Sequence, residues 1–165
     1  MGRWQVALAW LVLAGGAPAA AQPWPADLRR EDQARLRRAD EAWSLALRHA
    51  REAGHGGDLK ALGRLVEPDA ALPVPAPPPG AYRCRTIKLG APDDLLPLVQ
   101  YPWFRCRVEA TGAGLRLVKL TGSQRVAGRM VEHGPTRWLF LGSEAWGAET
   151  SWAAYGARPA RDRVA

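Results

Sequence analysis

Two triplets, Arg83-Cys84-Arg85 and Arg105-Cys106-Arg107, hold the only two cysteines of this 165-residue chain. Each sets a thiol, which can cross-link, between two guanidiniums, whose forks match carboxylate and phosphate oxygens. Neighbouring side chains of a strand point to opposite faces, so an inward cysteine sends both flanking arginines outward. If the two segments pair, Cys84 and Cys106 sit opposite each other within disulfide reach. Tyr82, Thr86, Phe104 and Val108 then share the core side, while Arg83, Arg85, Arg105 and Arg107 gather on the far face. One geometry accounts for both triplets.

Such a face repels itself unless acids, anions or water screen it. From Arg83 to Arg129 nine basic residues, Lys119 and Arg125 among them, stand against three acids, Asp93, Asp94 and Glu109. The stretch from Asp27 to Glu52 is nearly balanced, seven to six, so the charge excess belongs to the later segment. Two readings follow. The arginines form a solvated face whose stems cover apolar surface. Alternatively Arg83, Arg85, Arg105, Arg107, Lys119 and Arg125 form an anion-binding set for a lipid phosphate, an acidic polysaccharide or an acidic protein. No nucleic-acid recognition motif accompanies the charge, so nucleic acid is not an expected partner.

Catalytic signals are thin. His49, His55 and His133 belong to no metal-ligating pattern, and no metal or other cofactor is expected. Ser123 in "LTGSQR" lacks the G-x-S-x-G elbow of a serine nucleophile. His133 falls in a turn and Glu144 in a Gly- and Trp-rich segment. A hydrolase would have to draw on these three, and the sequence favours a non-catalytic protein.

The elements that position these residues fall into two halves. Leu36, Ala39, Trp43, Ala46, Leu47 and Ala50 recur at helical spacing, predicting one long helix over about 27–53, stopped by Gly54. A short second helix is expected from a capping Asp58 to Pro68, with Leu59, Leu62 and Val66 on one face. Residues 68–80 contain six prolines and form an extended connector, either a linker or an arm laid across the sheet. From Ala81 the period changes to two. "AYRCRTIKL", "WFRCRVEA", "GLRLVKL", "RVAGRMVE" and "TRWLFLGS" predict five antiparallel strands, with Gly122-Ser123 as a two-residue hairpin turn.

Before all this stands "MGRWQVALAWLVLAGGAPAAAQ": one positive charge, a short apolar run and small residues at Ala19 and Ala21. This is the pattern of a secretory signal peptide over residues 1–21, cut before Gln22. The run is too short to span a bilayer, so the mature chain is expected to lack a transmembrane segment and to work in the periplasm or outside the cell. Arginine outnumbers lysine 20 to 3, a bias of GC-rich bacterial genomes. In an oxidising compartment two cysteines most often form one disulfide, here Cys84–Cys106.

"GAYRCRTIKLG", "YPWFRCRVE", "LVKLTGSQRVAGRM", "WLFLGS" and the later "YG" resemble, in order and spacing, the bacterial family catalogued as domain of unknown function 4893. The resemblance covers roughly Asp27 to Gly156 and implies an exported protein with an N-terminal helix and a cysteine-bearing β region. The family supplies no catalytic residues. Its members continue past "YG" with a further strand pair, so the resemblance implies that the ending "ARPARDRVA" is truncated or divergent; if those strands complete the sheet, this chain exposes an unpaired edge and part of its core.

The expectation is a single α+β domain over residues 22–165: helices over 27–67, then an antiparallel sheet or partial β-barrel over 81–156. Its expected function is to bind an anionic envelope component or protein through the basic face. The alternatives are a small apolar ligand carrier built on a barrel, a secreted hydrolase inhibitor, and a hydrolase with an unrecognised site.

Overall fold

The apolar stripe of the N-terminal segment folds as two helices rather than one. α1 spans Arg30–Arg37 and α2 spans Ala39–Glu52, with Arg38 between them at φ −102°, ψ 10°. No Pro or Gly marks the break. The two halves dock on different layers, α1 on the segment that follows the last long strand and α2 on a small β-ribbon, and tertiary packing overrides the continuous periodicity. Gly54, at φ +88°, ends α2 as expected. α3 covers Gly56–Leu62 and passes at Gly63 into a 3₁₀ turn over Gly63–Val66. Asp58 lies inside the first turn of α3 and pairs with the His55 ring at 2.9 Å, so it does not act as the predicted cap.

These statements concern residues 24–67, 70, 76–90, 96–134 and 136–165, which the computed structural model describes. The expected signal peptide, most of the proline-rich connector and the Asp93-Asp94 pair lie outside them. At the connector's end, Tyr82 donates its hydroxyl to the Pro78 carbonyl at 2.6 Å, tying the chain back as it enters the sheet.

The β half forms eight strands: β1 Gly80–Cys84, β2 Ile87–Leu89, β3 Leu98–Gln100, β4 Phe104–Thr111, β5 Gly114–Lys119, β6 Gln124–Glu132, β7 Trp138–Trp146 and β8 Asp162–Val164. Six of them make an antiparallel sheet in the order β1-β4-β5-β6-β7-β8, while β2 and β3 make a separate ribbon. The architecture is α+β, helices followed by an antiparallel sheet. With β1 and β8 as free edges the sheet stays open, so the barrel alternative is set aside.

Three strand expectations are corrected. "AYRCRTIKL" is not one strand: the chain leaves the large sheet after Cys84, and Ile87–Leu89 pairs with Leu98–Gln100 in the ribbon. β3 is too short and too closely flanked by Pro97 and Pro102 to show in the alternation. Four residues, 120–123, rather than two, connect β5 to β6. There the Thr121 hydroxyl accepts the Arg105 amide at 3.0 Å, and Gly122 sits at φ +94° against the Phe104 ring. The last residues do not leave β7 bare, because β8 pairs along Leu141–Ser143 and Phe140 and Ala165 exchange backbone hydrogen bonds.

Apolar burial falls in two places. Leu47, Ala50, Leu59, Leu62 and Leu98 form one core, backed by Val66, Ile87 and Leu89, where α2 and α3 close on the ribbon. In the large sheet Val108, Val118, Ala127, Leu139, Leu141 and Ala145 are buried. Gly128 and Gly142 face each other across β6 and β7. A Cβ on Gly142 would stand 2.3 Å from the Ala127 carbonyl and 2.6 Å from the Phe140 ring, so only glycine fits there.

Candidate basic site on the β1–β4 edge

β1 and β4 pair as the doubled triplet predicts, and Cys84 and Cys106 are joined by a disulfide. The register is shifted by two residues, which keeps both cysteines on one face. Cys84 lies opposite Phe104 and Cys106 opposite Tyr82, so the bond runs diagonally, with the Cα atoms 5.9 Å apart. Right-handed twist shortens one of the two diagonals of a strand pair enough for a disulfide. Cys106 and Val108 are buried and Phe104 half-buried, whereas Tyr82 is exposed, so the inward face is real but incomplete at the edge.

On the other face Arg83 lies directly opposite Arg105, and Arg107 lies opposite Ala81. All three are exposed. Arg85 sits just beyond the end of β1 and is half-buried, and its Nε is buried with no hydrogen-bond partner among the described residues. Trp103, 54 % exposed, lies against two of these groups, with the Arg83 and Arg85 guanidiniums 5.3 and 5.4 Å from its ring centre. Indole faces attract cations, so the ring holds two like charges together at one spot.

The other two members of the expected set are elsewhere. Lys119 lies opposite Cys106 and so belongs to the cysteine face. It stacks 3.8 Å over the Phe104 ring and donates to the Gln124 carbonyl at 2.8 Å. Burial lowers its pKa, with Glu144 opposing and Arg125 and Lys88 adding to the fall. Arg125 is spent on the backbone, donating to the carbonyls of Gly122, Gly147 and Glu149. It ties the turn after β5 to the segment after β7.

The neighbouring strand arginines are also paired: Arg107 and Arg116 with Glu109, Arg129 with Asp27, Arg163 with Glu144. Among the described residues, no carboxylate pairs with Arg83, Arg85 or Arg105. This contrast was hidden in the sequence, because a charge count cannot distinguish an arginine that holds a carbonyl from one that faces water.

The residues named for a hydrolase do not meet. Ser123 precedes β6 and His133 follows it, so nine strand residues, about 30 Å, separate them. His133 stacks on Trp24 with ring centres 4.4 Å apart. Glu144 is held by Arg163 at 2.6 Å and by the Trp146 indole. Among the described residues no three His, Cys, Asp or Glu side chains cluster to hold a metal, and no helix is long and apolar enough to cross a membrane.

One buried polar network escaped the sequence reading. Asp32 of α1 is 1 % exposed and accepts the Tyr155 hydroxyl at 2.5 Å, Arg29 at 3.2 Å and Arg35 at 3.0 Å. Arg29 also reaches Asp162 at the start of β8, at 3.5 Å. Burial pushes the Asp32 pKa up, but the Tyr155 hydroxyl and the two arginines outweigh it and hold the carboxyl below its ordinary value. Burial and the Asp32 charge raise the Tyr155 pKa. The signal was spacing: Asp32 and Leu36 fall four apart on one face of α1, with Leu28 four residues before Asp32, and an acid in an apolar row needs buried partners.

These features define an α+β protein in which helices close on a β-ribbon and an open, disulfide-tied meander presents a basic edge. The chain belongs to the family described as Domain of unknown function (DUF4893), whose model matches residues 24–165. No curated protein and no solved structure matches it.

Proposed function

We propose that this is an exported, non-catalytic protein that binds an anionic envelope component through Arg83, Arg85 and Arg105 around Trp103, with Arg107 at the margin. The observation that carries the reading is the missing counter-charge among the described residues: other arginines of the large sheet hold an acid or a carbonyl, while Arg83 and Arg85 hold only the Trp103 ring and Arg105 has no carboxylate partner. Leaving like charges opposite each other costs stability, and a bound phosphate or carboxylate would repay it with forked, charge-assisted bonds. The exposed indole adds a flat surface for a sugar ring or an acyl stem beside the charge. Export rests on the leader-like first 21 residues and on the disulfide, which persists in oxidising compartments. The open sheet has no barrel interior for an apolar cargo, and Ser123, His133 and Glu144 stand apart, so neither of those alternatives gains support.

The test is co-sedimentation of the purified protein with envelope fractions, comparing wild type with R83Q/R85Q/R105Q and with R37Q/R48Q/R51Q, which removes equal charge from the helices. The basic-edge variant should lose about tenfold or more in binding, as expected for charge-assisted contacts, and the helix variant should bind nearly as wild type. Unchanged binding by the edge variant would remove the proposal.

A further inference from the structure

A second site lies away from the basic edge, on the sheet face where β5, β6 and β7 meet the segment after β7. A cleft of about 450 Å³ opens there, within the size range of small-ligand pockets. Trp152 and Tyr155 wall it, Leu141 and the backbone of Gly128 and Gly142 lie at its base, and Arg116, Arg129 and Asp27 stand around it.

Both aromatic walls are fixed through their polar atoms, and each ring has a guanidinium over one face, Arg116 5.8 Å from the Trp152 centre and Arg29 5.7 Å from the Tyr155 centre. The Trp152 indole donates to the Arg125 carbonyl at 2.8 Å, and the Tyr155 hydroxyl is engaged by Asp32 and by the Arg29 amide. Arg116 and Arg129 are direct cross-strand partners of β5 and β6, an unfavourable like-charge pair. Each is answered from the rim: Arg116 by Glu109 at 3.0 Å and Arg129 by Asp27. Asp27 comes from the short stretch before α1 and its side chain is 62 % exposed, so it is not locked in by packing.

We propose that this cleft binds a planar organic anion, an aryl carboxylate or sulfonate, with its ring against Trp152 and Tyr155 and its charge on Arg129 and Arg116. Asp27 already holds a carboxylate on Arg129 and acts as an internal competitor for that place. The site is independent of the basic edge and uses none of its residues.

The experiment is calorimetric titration of the folded, disulfide-bonded protein with 2-naphthoate and with its neutral counterpart 2-naphthalenemethanol. Naphthoate should bind at one site and the alcohol at least about tenfold more weakly. R129Q should weaken naphthoate by a similar factor, and R129K, which keeps the charge but loses the fork, should fall between. D27N should tighten binding severalfold, because it frees Arg129, whereas a purely structural Asp27–Arg129 pair predicts no change or a loss. R83Q/R105Q should bind naphthoate as wild type. The proposal fails if wild type shows no saturation by about 1 mM, if acid and alcohol bind alike, if D27N binds no tighter, or if the edge variant abolishes the heat.

Discussion

Asp32 binds the start of the chain's helical half to the segment after β7. Its carboxylate accepts from Tyr155 and two arginines while almost wholly out of water. Removing the charge leaves Arg35 without its carboxylate and Arg29 with Asp162 alone, so D32N should cost roughly 2–3 kcal/mol in urea unfolding. Tyr155→Phe, which deletes one hydrogen bond, should cost about 1 kcal/mol. The pH dependence has a definite sign. Because the folded-state pKa of Asp32 is lowered, its contribution is complete above the ordinary carboxylate range and is lost as pH falls through the folded value. Tyr155, with a raised folded value, contributes fully below the ordinary phenol range and loses that contribution as pH rises through the raised one. Wild type should therefore lose stability faster than D32N on acidification, and equal slopes would show that Asp32 is not held ionised. At this scale the sequence revealed Cys84 and Cys106 and the arginines around them. Asp32, Tyr155 and the occupation of Arg125 by carbonyls were not legible, because each depends on contacts between residues more than twenty positions apart.

Between elements, the fold relies on one covalent tie, one tight crossing and one late strand. The disulfide closes a sequence separation of 22 residues, which should contribute about 3 kcal/mol. The double variant C84A/C106A should show that loss in its unfolding midpoint while keeping a β-type far-ultraviolet spectrum. Gly142→Ala should cost roughly 1–3 kcal/mol, since the new methyl group meets a carbonyl and the Phe140 ring at once. A shift of the melting temperature no larger than that of an exposed Gly→Ala change would contradict the close crossing. Alternation found β1, β4, β5, β6 and β7, where one face packs and the other is wet. It failed at β2, β3 and β8, each three residues long, too short to show a period. It also failed at Arg38, where a continuous apolar stripe serves two different layers.

For the whole molecule, the helical half is nearly neutral and the excess positive charge lies on the sheet. Among the described residues most of that charge is answered internally, which leaves Arg83, Arg85 and Arg105 without a carboxylate where β1 meets β4. If the proposed export holds, cleavage after residue 21 leaves a chain of 144 of the 165 residues, starting at Gln22. An intact mass matching Gln22 to Ala165, unchanged by alkylation unless reductant is added, checks export and the disulfide together. Two free thiols would loosen the strand pair that sets Arg83 against Arg105. The most direct test of the basic edge is the salt dependence of binding to an immobilised polyanion such as dextran sulfate. Wild type should bind with an affinity that falls steeply with salt, and R83Q/R85Q/R105Q should bind more weakly with a slope shallower by about one for each arginine removed. Equal affinities and equal slopes for the two proteins would contradict the account.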